Sequence, residues 1–213
     1  MIRIAVTALE SFSYWKDRED ATTEDLLREL AHVEPPTRNM MAGRAWARMW
    51  ERSRPGEIDA ATMDGWRFVF DLDAQIYVPP IRELKIEEVF ETPSGPVTLV
   101  GKVDSFEGLT VRDQKLSERF EIEERYTDSI QWRAYLAMLK ARKFIYDVFI
   151  GKYDDTEDEV RIVEYHQVPF YSYPNIHADV EAAVCELAEI VAQYQPQIEA
   201  LKRAAGVPLM GAA

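Results

Sequence analysis

Between residues 85 and 116 the side chains change from period 3.6 to period 2 and keep that rhythm through two turns. Residues 85–91, 97–106 and 109–116 read as three successive strands. Pro93-Ser94-Gly95-Pro96 supplies the first turn and Glu107-Gly108 the second. This meander constrains the chain most, because whatever precedes and follows it has to pack against a sheet.

The flanking segments read as helices. Thr22-Thr23-Glu24-Asp25 ahead of Leu26, Leu27 and Leu30 is a capped start, and Glu34-Pro35-Pro36 ends that helix. Residues 39–52 form a second helix, with Met41, Ala45, Trp46, Met49 and Trp50 at helical spacing and Arg44, Arg48 and Arg52 on the other face. Ser53-Arg54-Pro55-Gly56 stops it, and a further short helix is expected over 60–73. Downstream come a helix over 128–143, strands at 144–150 and 160–170, and a long helix from 175 or 176 to 205, interrupted or bent at Pro196. This order predicts an α/β (α+β) fold with a mixed central sheet flanked by helices. All 213 residues are expected to form a single domain: a helical N-terminal region over residues 1–80, the sheet and its helices over 81–205, and a short tail over 206–213.

An apolar fraction of 47% can build a packed core. No run approaches the roughly 18 apolar residues of a membrane span. The first fifteen residues lack the zones of a signal peptide. The expectation is a soluble, cytoplasmic chain with no membrane partner. One Cys, Cys185, excludes a disulfide framework, a zinc ribbon and an iron–sulfur cluster held by this chain alone. No phosphate loop is present, so no ATP site is expected.

The second turn of the meander lets side chains be placed. With Glu107-Gly108 as a two-residue loop, Phe106 faces Leu109, Asp104 faces Val111 and Lys102 faces Asp113. Lys102, Asp104, Val111, Asp113 and Lys115 then share one face, with Asp104 and Asp113 diagonal neighbours roughly 7–8 Å apart. Two carboxylates so placed, with the Gln114 backbone carbonyl, can hold a Mg²⁺ or Mn²⁺ ion, and the Lys115 ammonium can orient water or stabilise developing charge. The same residues also suit a solvent-facing strand with Lys–Asp cross-strand pairs.

Gly101-Lys102-Val103-Asp104, a turn, and Val111-Arg112-Asp113-Gln114-Lys115 resemble the active-site hairpin of the PD-(D/E)XK nuclease superfamily. Gln131 and Tyr135 resemble the Q-x-x-x-Y helix signature of its RecB-like branch, which includes phage-type exonucleases. The stretch from Gly43 to Glu51 resembles that branch's G-x-x-x-H-x-x-L-E helix, with Ala47 where many members carry a metal-binding His. The resemblance implies a restriction-endonuclease-like core and a metal-dependent DNA nuclease, an exonuclease processing duplex ends in recombination or repair. It implies Asp104, Asp113 and Lys115 as catalytic, Asp104, Asp113 and the Gln114 carbonyl as metal ligands, and Gln131, Tyr135 and Glu51 as supporting residues. An endonuclease on the same fold, or a non-catalytic nucleic-acid-binding or assembly protein that kept it, stays open. So do homo-oligomerisation and a recombination partner.

Several of these residues have plainer explanations. With Asp128 as N-cap, Gln131 falls at N3 of a capping box, and Tyr135 suits a core edge. The acidic run 154–159 lacks the spacing of a calcium loop. His32, His166 and His177 show no zinc spacing. The formal net charge of −13 opposes nucleic-acid binding in bulk. The basic residues are nonetheless clustered: Arg44, Arg48, Arg52 and Arg54 around one helix, Arg133, Lys140, Arg142 and Lys143 around another, and Lys115 and Arg119 beyond the hairpin. Around one cleft they would form a basic mouth on an acidic body, with Arg44, Arg48 and Arg133 as nucleic-acid contacts.

Overall fold

A computed structural model describes residues 2–56, 58, 61–72, 76–120, 124–154 and 156–207. Strands β1 (Ile2–Ala5), β2 (Thr62–Met63), β3 (Trp66–Phe70), β4 (Ile81–Thr92), β5 (Gly95–Glu107), β6 (Thr110–Ser117), β7 (Lys143–Tyr153) and β8 (Glu159–Tyr171) join in one mixed sheet. Its order is β1-β5-β6-β7-β8-β3-β2, with β4 paired to β5. The meander β4-β5-β6 and the hairpin β7-β8 are antiparallel, whereas β1 on β5, β6 on β7 and β3 on β8 are parallel.

The helices are α1 (Val6–Lys16), α2 (Thr23–Ala31), α3 (Arg38–Arg52), α4 (Glu124–Thr127), α5 (Ile130–Leu139) and α6 (Ile176–Ala204). Leu9 of α1, Leu26 of α2, Leu136 of α5 and Leu187 of α6 bury against Leu99, Val111, Val148 and Ile150 in one core. Trp46, Met49 and Trp50 of α3 bury against Phe68, Phe149, Val160 and Ile162 in a second. Phe149 joins the second core while its β7 neighbours Val148 and Ile150 join the first, so the sheet lies between the two. The result is a mixed α/β fold with a central sheet flanked by helices.

Local chemistry explains where the helices begin and end. The Thr22 hydroxyl accepts from the Asp25 N–H at 3.2 Å and the Asp25 carboxylate accepts from the Thr22 N–H at 2.9 Å, a closed capping box on α2. Thr37 caps α3 through Met40 at 3.2 Å. At the far end of α3, Ser53 Oγ donates to the Met49 carbonyl at 2.7 Å and Arg82 of β4 donates to the Trp50 carbonyl at 2.7 Å. These bonds fix α3 against the meander.

Two expected helices need correction. Residues 62–70 form β2 and β3 rather than a helix; residues 60 and 73 of that expected helix lie outside the described residues. Asp64 and Gly65 both have positive φ, 50° and 88°, and close a two-residue turn between Met63 and Trp66. The helix expected over 128–143 is shorter, because Lys140 turns left-handed at φ 50° and β7 begins at Lys143. The long helix runs from Ile176 to Ala204 with Pro196 inside it, so the proline does not divide it. The short β1 and α1, with β1 paired to β5, had no counterpart in the periodicity. Asp155 of the acidic run and residues 208–213 of the tail lie outside the described residues. Among the described residues no helix is long and apolar enough to cross a membrane.

Candidate active site

Two strands share one edge of β5 without meeting. β1 pairs with Val97–Val100 and β6 with Ser105–Glu107, leaving 101–104 open on that side. On the other edge β4 pairs on either side of Asp104 but skips it at Glu83, whose φ is 55°. Asp104 is therefore the one residue of β5 without a ladder partner on either edge. Its carboxylate turns into the gap, where Oδ2 accepts from the Gln114 N–H at 3.2 Å.

The hairpin register differs from the expected one by two residues. Glu107 pairs with Thr110, so the loop is Gly108-Leu109 and not Glu107-Gly108. Extending the pairing past Ser105–Arg112 sets Asp104 directly opposite Asp113, not Val111, and Lys102 opposite Lys115, not Asp113. A slip of two preserves which side chains share a face, so the carboxylate pair survives the correction and is drawn closer together.

The electrostatics follow from this crowding. Asp113 is only 4% exposed, and its Oδ2 lies 2.8 Å from Lys115 Nζ but has no well-directed hydrogen bond. Burial, and then the charge of Asp113, push the Asp104 carboxyl up to about 7; Lys115, the Gln114 N–H and Lys102 oppose that rise. Burial alone would pull Lys115 down, but Asp113 and Asp104 outweigh it and hold its pKa above the ordinary lysine value. Lys115 therefore remains an ammonium at neutral pH. Lys102 is paired with Glu83.

α5 supplies the next layer. Its N-cap is Ser129, not Asp128, so Gln131 occupies N2 and no capping box forms. The Gln131 N–H donates to Glu10 Oε2 of α1 at 3.0 Å and to Ser129 Oγ at 3.2 Å, while its Oε1 accepts from the Tyr146 hydroxyl at 3.4 Å. The Tyr135 hydroxyl donates to the Lys102 carbonyl at 3.0 Å, in the open stretch of β5. Burial, then Asp113 and Asp104, hold that hydroxyl well above the ordinary tyrosine range, so it stays protonated. Its ring lies where a Cβ on Gly101 would meet Cε1 at 2.6 Å, and Val6 and Ile86 close the other sides at 3.3 Å. Gly101→Ala is expected to lose about 1–3 kcal/mol by overpacking, read as a lower urea midpoint with unchanged slope.

A cleft of about 960 Å³ joins these residues to α3. Asp104, Asp113, Gln114, Lys115, Gln131 and Tyr135 line it together with Gly43, Arg44 and Ala47. The sheet and three separate helices thus converge on one place. Glu51 is exposed one turn beyond Ala47 and does not line this cleft. Arg48 is outside it too, paired with Asp64 at 2.7 Å. Arg133 spends its guanidinium on the carbonyls of Thr127, Asp128 and Ser129 and stacks on Trp132 at 4.6 Å. The basic rim is instead Arg44 with Arg3, Lys85 and Lys102. Arg3, Lys85 and Glu10 were not singled out from the sequence. No local signal marks them, since each reaches the site from a distant stretch of the chain.

Among the described residues no group of three or more His, Cys, Asp or Glu forms a metal cluster. Asp104 and Asp113 nonetheless fit a hard divalent cation. They are two crowded carboxylates, one of them raised by burial and then by the other's charge, and the Asp113 oxygen is sealed from solvent and poorly satisfied. Mg²⁺ accepts one or two carboxylates and completes its shell with water and phosphate oxygens, so a two-carboxylate set is sufficient.

No protein-family model matches the chain, and no curated protein is significantly similar to it. Among solved structures, the chain resembles SSO0001 at TM-score 0.50 with 12% identity, over 88% of this chain and 76% of that one. It also aligns with LHK-Exo, solved in complex with dAMP, at TM-score 0.47 with 14% identity, over 95% and 93% of the two chains. At 12% identity, what the chain shares with SSO0001 is a fold.

Proposed function

We propose that this chain is a metal-dependent deoxyribonuclease with a PD-(D/E)XK active site, an exonuclease that processes DNA ends in recombination or repair in the cytoplasm. The observation that carries this reading is the convergence of Asp104, Asp113 and the Lys115 ammonium at the gap in β5, on the floor of a cleft rimmed by Arg3, Arg44 and Lys85. The order of motifs in the sequence supports the same assignment.

Asp104 and Asp113, with the Gln114 carbonyl, would hold Mg²⁺ or Mn²⁺. When bound, that ion supplies a polarised phosphoryl oxygen and a more acidic water. Lys115 stays charged and lies against Asp113, so it can orient the attacking water and stabilise negative charge gathering on the phosphate. The water oxygen would form a bond to phosphorus as the bond to the leaving deoxyribose oxygen breaks; the water gives up a proton to solvent, and the leaving oxygen takes one up, so that the products are a phosphate monoester and an alcohol. Gln131, bonded to Glu10 and Tyr146, and Tyr135, bonded to the Lys102 carbonyl, position the walls of the site.

Digestion of end-labelled linear duplex and of covalently closed circles, with Mg²⁺, Mn²⁺ or EDTA, tests the proposal. Metal-dependent loss of the linear DNA alone, absent in Lys115→Ala, is the expected result. Nicking of the circles would make the protein an endonuclease. Folded protein inactive with both metals would favour a binding scaffold, which the missing imidazole at Ala47 also suits.

A further inference from the structure

Among the described residues two charged side chains are almost wholly buried, Asp113 and Asp147, each 4% exposed. Asp113 belongs to the reactive centre. Asp147 is on β7, and the chemistry above makes no use of it. Burying a carboxylate costs more than burying an apolar side chain of similar size, so stability alone does not account for it.

Asp147 lies opposite Gln114 of β6 on one side and Gln167 of β8 on the other. Its neighbour Tyr146 lies opposite Asp113 and belongs to the first core, so Asp147 is on the reverse face of the sheet from Asp113. There Arg112 Nη1 donates to both of its oxygens at 2.8 Å. Oδ1 also accepts from the Tyr165 hydroxyl at 2.6 Å and from the Gln167 amide at 3.0 Å. The Tyr165 ring stacks on Phe149 of the second core at 4.7 Å, which fixes its hydroxyl in place. Burial, then the Asp147 charge, hold that hydroxyl above the ordinary tyrosine range, so it keeps the proton it donates.

The network sits at the base of a fork. Ser105–Arg112 is the last rung between β5 and β6 on the way to the reactive centre. Beyond it β6 stays paired with β7 as far as Ser117 but has no rung with β5. Asp104 and Asp113 are the first residues past that rung, one on each arm. The ties across the fork are long: the Gln114 N–H donates to Asp104 at 3.2 Å and Ser105 Oγ to Gln114 Oε1 at 3.3 Å. The separation of the two carboxylates therefore depends on the direction in which β6 leaves Arg112, and Arg112 is the residue that Asp147 holds.

We propose that Asp147 is a positioning residue: by holding Arg112 at the base of the fork, it keeps Asp104 and Asp113 at the spacing that one divalent ion bridges. This role rests on the nuclease reading above and adds to it what sets the geometry of its carboxylates. Asp147 touches neither ion nor substrate and acts through Arg112.

The test reads Mn²⁺ affinity from the electron paramagnetic resonance of the free ion, beside kcat and KM on end-labelled duplex. Asp147→Asn is expected to bind Mn²⁺ about 10–100-fold more weakly, with a similar loss in kcat and an unchanged KM for DNA. It leaves Arg112 unpaired, so the double variant Arg112→Met/Asp147→Leu, which removes both charges, checks the same point with a near wild-type Tm. Tyr165→Phe keeps the stacked ring, removes one bond to Asp147, and should show a smaller loss of affinity in the same direction. Wild-type Mn²⁺ affinity in any of the three that folds would overturn the proposal, as would losses that merely follow Tm. Wild type that binds Mn²⁺ without cutting, while Asp147→Asn binds it weakly, upholds Asp147 and refutes the nuclease. Wild type that binds no Mn²⁺ overturns both.

Discussion

Asp113→Asn is expected to lower metal-dependent DNA cleavage by about a thousandfold, the upper end of what one electrostatic group contributes to a preorganised site. Asp113 is the less exposed member of the pair, and among the described residues its Oδ2 takes only the Lys115 ion pair at 2.8 Å. The neutral amide removes a ligand charge and the partner that holds Lys115. Folding should change little, because the substitution is isosteric and removes the charge that, after burial, raises Asp104. Thermal shift separates the two roles. Mg²⁺ should raise the wild-type Tm as ligand binding to the folded state does, and should fail to do so in Asp113→Asn. Lys115→Ala should keep the Mg²⁺ shift and lose the cleavage. A variant of Asp113 that retains both would remove this residue from the site.

The second large effect is on stability against pH. Asp104 titrates at about 7 in the folded chain against 3.8 in a free carboxyl. Between those values the folded state binds a proton that the unfolded state has released. Stability contributed by the protonated form is therefore full below about 4 and is lost as pH rises through about 7. Asp25 and Asp154 are shifted the other way, Asp25 by the Thr22 N–H and Asp154 by the Thr156 side chain, so their contributions are lost as pH falls below about 4. The windows do not overlap. Metal-free wild type should thus lose stability from about pH 4 to about pH 7 by up to about 1.4 kcal/mol per pH unit, read by urea denaturation, and Asp104→Asn should flatten that slope. Mg²⁺ favours the ionised carboxylates, so its affinity should rise over the same interval. A slope that is unchanged in Asp104→Asn would mean that Asp104 is not the group that titrates near 7 in the folded chain.

Residues in one local stretch were legible because their spacing is their geometry. The period-2 runs, the turn after Glu107 and the D-x-K triplet place Asp104, Asp113 and Lys115 on one hairpin, and even a two-residue error in the loop left that grouping intact. The helix over Arg38–Arg52 was legible for the same reason, since its apolar stripe needs no partner to be recognised. The segment 62–70 was misread although Asp64-Gly65 is a hairpin turn, because Trp66, Phe68 and Phe70 alternate over only five residues, too few to outweigh a helical reading.

By itself, then, the sequence determined the meander, the amphipathic helices and the carboxylate–lysine hairpin, all of which follow from neighbours within about a dozen residues. Only the tertiary structure decided that Ile2–Ala5 would be a strand, because four residues become one by pairing with β5 far along the chain. It also decided that Glu10 would bond Gln131 across 121 positions and that Arg3, Lys85 and Arg44 would rim one cleft. Closing such long loops costs entropy that only burial in the completed core offsets, so no local pattern could announce them. The gap in β5 that leaves Asp104 without a ladder partner is of this second kind: it exists because β1 and β6, from distant stretches of the chain, stop short of each other on the same edge.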